Sequence, residues 1–244
     1  MALLQCQFYS TAMSMGTCVR VILPDTCDMD QARVLYLLHG LSDDSSIWTR
    51  YTSIERYVRG QNIAVIMPEV QRSWYCDMKN GLRYFEYVSR ELPQLVHKYF
   101  GLSLAREKNY IAGLSMGGFG AMKTALTYPE RYAGVGSFSG AVDLEAILKV
   151  HRSDVQRIQE AVAILGPELA IGPENDLKAL LKKASPLPKI YLSCGEEDFL
   201  YDVNQQMHRY LDSLDIPHGY DHRPGDHNWD FWDQSIRDFL EYMK

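Results

Sequence analysis

The stretch Asn109-Tyr110-Ile111-Ala112-Gly113-Leu114-Ser115-Met116-Gly117-Gly118 decides how this chain is read. Its first half is apolar and strand-like. Its second half opens a segment, Met116 to Thr127, rich in small residues: Gly117, Gly118, Gly120 and Ala121. Between them sits the pattern Gly-x-Ser-x-Gly. A bare match to that pattern arises by chance, so the context carries the weight. A strand that turns sharply into a helix lifts a serine hydroxyl clear of a sheet, and only small neighbours let helix and strand pack closely enough. A glycine-rich turn that merely packs is the alternative, and this flanking makes it the weaker one.

Working outward, the rest of the chain repeats a strand–helix rhythm. Gln7 to Tyr9 and Cys18 to Leu23 read as an opening hairpin around Gly16. Arg33 to Leu38 and Asn62 to Met67 are near-continuous apolar runs, as strands buried on both faces are. Gly81 to Tyr99 has apolar residues at helical spacing and is closed by Gly101; Pro93 should kink or divide it. Tyr132 to Phe138, Lys189 to Cys194 and His218 to Arg223 are further strands, with helices over Asp202 to Leu214 and Phe231 to Tyr242. Residues from about 142 to 188 break the rhythm with weak helices and scattered Gly-Pro pairs, and are expected to be an insertion lying over one edge of the sheet. The alternation implies one α/β domain over residues 1–244, with a mostly parallel central sheet and helices on both faces.

Composition narrows the classes. Of 244 residues 46% are hydrophobic, enough for one large core, and no biased tract suggests disorder. A net charge of −6 argues against nucleic acid or an anionic membrane as the partner. No stretch reads as a signal peptide or a spanning helix, so a cytoplasmic protein is expected. Cys6, Cys18, Cys27, Cys76 and Cys194 show no Cys-x-x-Cys spacing and read as free thiols. The opening hairpin presents an edge through which copies could associate into a homo-oligomer.

A serine hydroxyl needs a base in contact and a carboxylate to orient that base. Where the serine sits in such an elbow, the chain order is serine, acid, histidine. Beyond the strand ending at Cys194 comes Gly195-Glu196-Glu197-Asp198-Phe199-Leu200, in which Asp198 competes with Glu196, Glu197 and Asp202. Beyond the last strand comes Pro224-Gly225-Asp226-His227-Asn228-Trp229, with His227 in the loop and His222 its one close rival. The remaining histidines read as structural; His39 ends a strand and is expected to order the loop beside it. Two backbone N–H groups must receive the oxygen that becomes negative in acyl transfer. The residue after the serine, Met116, supplies one, and Leu41, after the turn at Gly40, the other. Trp48, Trp74, Tyr75 and Trp229 fall on loops expected at the same face and are candidate walls of a substrate pocket, with about half of them expected to be loop anchors instead.

With these residues in place, the chain resembles the esterase family that includes esterase D, S-formylglutathione hydrolase and the mycolyltransferases, and is most similar to its bacterial tributyrin esterase branch, near acetyl and feruloyl esterases. The resemblance rests on Tyr36-Leu37-Leu38-His39-Gly40 followed by Trp48, on Ile111 to Gly118, on Ser137-Phe138-Ser139-Gly140, on Cys194 to Leu200 and on Gly225 to Trp229. It implies the α/β-hydrolase fold with a small cap before the acid-bearing strand. It also implies a triad of Ser115, Asp198 and His227, Leu41 and Met116 as oxyanion donors, and no metal or organic cofactor. The expected activity is a serine carboxylesterase acting on short acyl esters, including O-acetyl or hydroxycinnamoyl esters of carbohydrates. A thioesterase of the S-formylglutathione hydrolase type and an acyltransferase of the mycolyl type are the alternatives. The segment Arg223 to Trp229 lacks the tyrosine-rich run of esterase D-type enzymes, which weakens the thioesterase reading.

Overall fold

The computed structural model describes residues 1–25 and 29–244, so Cys27 lies outside the described residues. Among these residues, eight strands form one sheet: β1 Ala2–Ser10, β2 Met15–Leu23, β3 Arg33–Leu38, β4 Ile63–Pro68, β5 Asn109–Leu114, β6 Gly134–Phe138, β7 Lys189–Gly195 and β8 His218–Arg223. Their order across the sheet is β1-β2-β4-β3-β5-β6-β7-β8. The β1–β2 and β2–β4 pairs are antiparallel and all the others parallel. Along β3, Val34, Tyr36 and Leu38 enter one apolar cluster, while Leu35 and Leu37 enter another on the opposite face. Because one strand feeds both cores, its sequence reads as an unbroken apolar run.

The helices are α1 Ile47–Tyr51, α2 Ile54–Val58, α3 Tyr84–Glu86, α4 Leu92–Phe100, α5 Met116–Thr127, α6 Leu144–Val150, α7 Val155–Leu165, α8 Leu177–Leu181, α9 Tyr201–Ser213 and α10 Trp229–Tyr242. Residues of α1, α2 and α10 build the core on one face of the sheet, and those of α4, α5 and α9 the core on the other. Asp143, Asp154, Asp176 and Asn228 cap α6, α7, α8 and α10 by accepting a backbone N–H of the first turn. No helix among the described residues is long and apolar enough to cross a membrane.

The expected break at Pro93 takes a specific form. Between α3 and α4 the helix widens into one π-turn, Tyr87–Glu91, in which the Leu92 N–H reaches Tyr87 O five residues back. Pro93 has no N–H to give to Ser89 O, its partner in a regular helix. That orphaned carbonyl accepts from Arg131 Nη1 at 2.9 Å. The widened turn ends at Glu91, whose carboxylate accepts from the Thr11 N–H and hydroxyl, both at 2.7 Å, and so closes the β1–β2 hairpin.

The insertion is placed differently from the sequence expectation. It leaves β6 and returns to β7, both inside the sheet, and residues of α6 and α7 line the same cavity as Ser115 and His227, so it lies over the carboxyl ends of the strands rather than an edge. Helix α7 is tied down there by Lys79 N–H to Ile164 O (3.0 Å) and Asn80 N–H to Ala163 O (2.9 Å). Leu177, Leu180 and Leu181 of α8 bury themselves in the same core as Phe119 and Met122 of α5. Apolar residues on α6, α7 and α8 had no periodic partner in sequence; their partners are non-local.

Candidate active site

Strand β5 ends at Leu114 and α5 begins at Met116, leaving Ser115 as the only residue of the turn, at φ +52° and ψ −116°. A left-handed φ on a non-glycine residue costs about 1–3 kcal/mol and persists only where surroundings impose it. Here the Ser115 N–H donates to Phe138 O at 2.8 Å, and Ser115 O accepts from Phe119 and Ala141. The helix is jammed against the strands: a methyl on Gly117 would lie 2.5 Å from Leu38 O, and one on Gly113 2.5 Å from the Gly117 backbone. Gly117→Ala should therefore lower stability by about 2 kcal/mol or more, a fall in Tm of about 5 °C or more for a chain of this size. Gly16→Ala, whose methyl meets nothing within 4 Å, should leave Tm in place. Equal melting of both variants in a thermal scan would refute the close-packing argument.

Three loops at the carboxyl ends of β5, β7 and β8 bring the sequence candidates together. Ser115 Oγ lies 3.1 Å from His227 Nε2. His227 Nδ1 lies 2.9 Å and 3.0 Å from the two Asp198 oxygens. A carboxylate only accepts, so Nδ1 carries the proton and Nε2 turns its lone pair to the serine. The β7 and β8 loops are lashed by Glu196 N–H to Arg223 O and Glu197 N–H to Gly225 O, both 3.0 Å. Asp198 is buried and also accepts from the Leu200 N–H at 2.8 Å and from the Ser139 hydroxyl. Burial alone would raise its pKa, but the bonds from His227, Ser139 and Leu200 outweigh it and hold the carboxyl below its ordinary value.

The rivals have other partners. Glu196 pairs with His222 at 3.0 Å, and Glu197 accepts from the Gly225 N–H. Asp202 lies in the first turn of α9. Two participants were not singled out from sequence. The Ser139 hydroxyl, which accepts from Trp232 Nε1 at 3.0 Å, steadies the acid. The exposed Phe199 ring packs 4.6 Å from the His227 ring.

The loop after β3 shows why two of the four aromatic candidates are not pocket walls. Each carbonyl from Leu38 to Leu41 is held by a side chain. Trp48 Nε1 donates to Leu38 O at 3.1 Å. The Tyr75 hydroxyl donates to His39 O at 3.0 Å. His39 Nδ1 donates to Gly40 O at 2.7 Å, and its Nε2 accepts from the Val70 N–H at 3.2 Å. Arg72 Nη1 donates to Leu41 O at 3.2 Å. Trp48 and Tyr75 are 0% exposed, and a buried indole N–H or phenol O–H seeks an acceptor; the bare carbonyls of this loop provide it. Among the described residues the Leu41 N–H has no acceptor. The Met116 N–H, at the first position of α5, likewise has none among the described residues.

Trp74 and Trp229 do line a cavity of about 480 Å³ beside Ser115 and His227. Its walls are mainly apolar: Leu41, Met116, Phe119 and Trp232 from the body, Leu144, Ile147, Leu148 and Ile158 from the insertion. Arg72 joins these two halves, since the guanidinium that holds Leu41 O also grips Glu160 of α7 through two bonds of 2.8 and 2.9 Å.

Comparison with known proteins shows the family. The model of the esterase family described as "Putative esterase" matches residues 10–243. An acetyl esterase of Caldicellulosiruptor saccharolyticus is 31% identical over all of this chain and 98% of its own length. The substrate-bound structure of FphF, a fluorophosphonate-binding serine hydrolase of Staphylococcus aureus, superposes with a TM-score of 0.90 at 35% identity, covering 99% of this chain and 98% of FphF. An S-formylglutathione hydrolase from Staphylococcus aureus superposes at 0.88, again with 35% identity and the same coverage. The chain thus belongs to the esterase family, as a serine hydrolase of the α/β-hydrolase fold acting on carboxylic ester bonds.

Proposed function

We propose that Ser115 attacks the ester carbonyl while His227, oriented by Asp198, takes the serine proton and passes it to the leaving alcohol. The oxygen that becomes negative is received by the N–H groups of Leu41 and Met116, the latter at the positive end of α5. The acyl group stays on Ser115 Oγ until water, activated by His227, releases the acid and restores the serine. The hydrogen-bonded sequence Asp198–His227–Ser115, ending at the wall of the cavity, is the observation that carries this reading.

The substrates are small acyl esters, with O-acetyl groups on carbohydrates first and hydroxycinnamoyl esters second. A cavity of about 480 Å³ that must hold both acyl and alcohol parts favours a short acyl chain, and one full-length relative is an acetyl esterase. Rates on p-nitrophenyl acetate, butyrate, octanoate and palmitate test this, with methyl ferulate and S-formylglutathione alongside. The expected kcat/KM peaks at acetate or butyrate and falls by about tenfold or more at palmitate, since each misfitted methylene costs about 1–3 kcal/mol. A peak at the long chains overturns the small-acyl reading. A clear preference for S-formylglutathione would favour the thioesterase reading, to which the second Staphylococcus aureus structure lends support. A cytoplasmic location is part of the proposal and is supported by Cys6, Cys18, Cys76 and Cys194, none of which is in a disulfide.

A further inference from the structure

Two histidines that the ester reaction leaves unused meet at the end of the sheet away from Ser115. His208 lies on α9, Asp212 lies one turn further along the same helix, and His218 is the first residue of β8. Strand β8 reaches the His227 loop only at its other end. His208 Nδ1 is 2.7 Å from His218 Nε2. Asp212 is 3.5 Å from His208 Nε2 and 4.0 Å from His218 Nε2. One ligand atom from each of the three lies within 4.8 Å of the others.

The hydrogen bonds decide what this group presents. His218 Nδ1 lies 2.8 Å from Ile216 O. A carbonyl only accepts, so that nitrogen carries the proton and Nε2 offers its lone pair toward His208. An imidazole whose second nitrogen donates to a backbone carbonyl is oriented as metal-ligating histidines are. The plane of His208 is set as well, by stacking on Tyr220 with centroids 4.3 Å apart and planes 17° apart. The Asp212 side chain is 59% exposed and gives an ion an entry from solvent.

We propose that His208, Asp212 and His218 form a binding site for a divalent transition-metal ion, Zn²⁺ foremost, at the junction of α9 and β8. Two imidazoles and one carboxylate, with water completing a tetrahedron, suit Zn²⁺; Ca²⁺ and Mg²⁺ take oxygen ligands. Without metal, the 2.7 Å separation is one N–H···N bond, donated by His208 Nδ1. The ion takes that proton's place. The proton leaves Nδ1 for solvent, one is taken up at His208 Nε2, and both rings stay neutral as two metal–nitrogen bonds form. Nitrogens each about 2.0–2.1 Å from a tetrahedral ion stand about 3.3 Å apart, so the rings need to part by about 0.6 Å. The bound ion would staple the helix that follows Asp198 to the strand that precedes His227.

The test is calorimetric titration of metal-stripped protein with Zn²⁺, paired with thermal melting, for the wild type, His208→Gln and Asp212→Asn. The wild type is expected to take up one equivalent with a micromolar or tighter Kd, and to gain about 5 °C or more in Tm at about a hundredfold excess over Kd. Each variant should bind that equivalent at least about tenfold more weakly, because even changes behind the ligands cost that much. Asp212→Asn alters an exposed side chain, so its metal-free melting reports an intact fold. Wild-type binding no tighter than millimolar overturns the proposal and leaves the rings a hydrogen-bonded pair. Tight binding unchanged in both variants places the ion elsewhere, for example at His227, and overturns it equally.

Discussion

Ser115→Ala is expected to lower kcat on p-nitrophenyl acetate by about 10⁴- to 10⁶-fold, the range seen when a nucleophile that works as a unit with its base is removed. The serine oxygen is the atom that His227 Nε2 faces at 3.1 Å. A residual rate over water should persist, because the Leu41 and Met116 N–H groups and the cavity walls are untouched. The variant keeps the turn: Ser115 makes its structural bonds through its backbone N–H and carbonyl, to Phe138, Phe119 and Ala141. Its Tm should thus stay within a few degrees of the wild type, and substrate should still bind. An alanine variant that is folded and retains wild-type turnover would remove Ser115, and with it the proposed mechanism.

Asp198→Asn is expected to lower kcat by about 10³- to 10⁴-fold, with KM little changed. An amide placed at 2.9 Å from His227 Nδ1 can present its NH₂ to that nitrogen. The imidazole then carries its proton on Nε2, pointing at the serine, and cannot act as base. The same exchange affects stability with a definite sign. The Asp198 carboxyl has a folded pKa below its ordinary value, so its contribution is present above the unfolded carboxylate value, about pH 4. It is lost as pH falls through the depressed folded value. The Tm gap between wild type and variant should be open at pH 7 and narrow below about pH 4. A gap constant from pH 7 to 3 would mean that Asp198 is held by something other than its charge. Unchanged kcat would mean that His227 is oriented without it.

The central run from Asn109 to Gly118 was legible because the constraint there is local. A one-residue turn between strand and helix needs small residues at fixed offsets, and the chain carries Gly113, Gly117 and Gly118 where crowding demands them. The strands β3 and β4 were legible because burial on both faces leaves no alternation to misread. The loops that carry the acid and the histidine could be located by their position after the last two strands, since a parallel sheet delivers every strand's carboxyl end to one rim; choosing Asp198 over Glu196, Glu197 and Asp202 also took the family resemblance.

The aromatic candidates show where that legibility stops. Trp48 and Tyr75 look, in sequence, like Trp74 and Trp229: large amphipathic rings on loops. Which of them faces the cavity depends on where the bare carbonyls of residues 38–41 lie in the folded chain, where Trp48 turns back to Leu38 O and Tyr75 comes from further along to His39 O. The insertion went the same way, because its anchor residues 79–80 and Glu160's partner Arg72 are far away in sequence. His208 and Asp212 stand four residues apart on a helix, a spacing visible in the sequence, but His218 joins them only when β8 pairs beside β7 and α9 packs back.

The sequence by itself determined the elbow, the parallel sheet and the order in which serine, acid and histidine arrive, because each depends on neighbours a few residues away or on strand patterning. Only the tertiary structure decided the partners of the loop carbonyls, the place of the insertion over the cavity and the meeting of His208 with His218. Those rest on hydrogen bonds made only once strands, helices and loops have packed together, and a hydrogen bond depends on a distance of a few tenths of an ångström that no periodicity encodes.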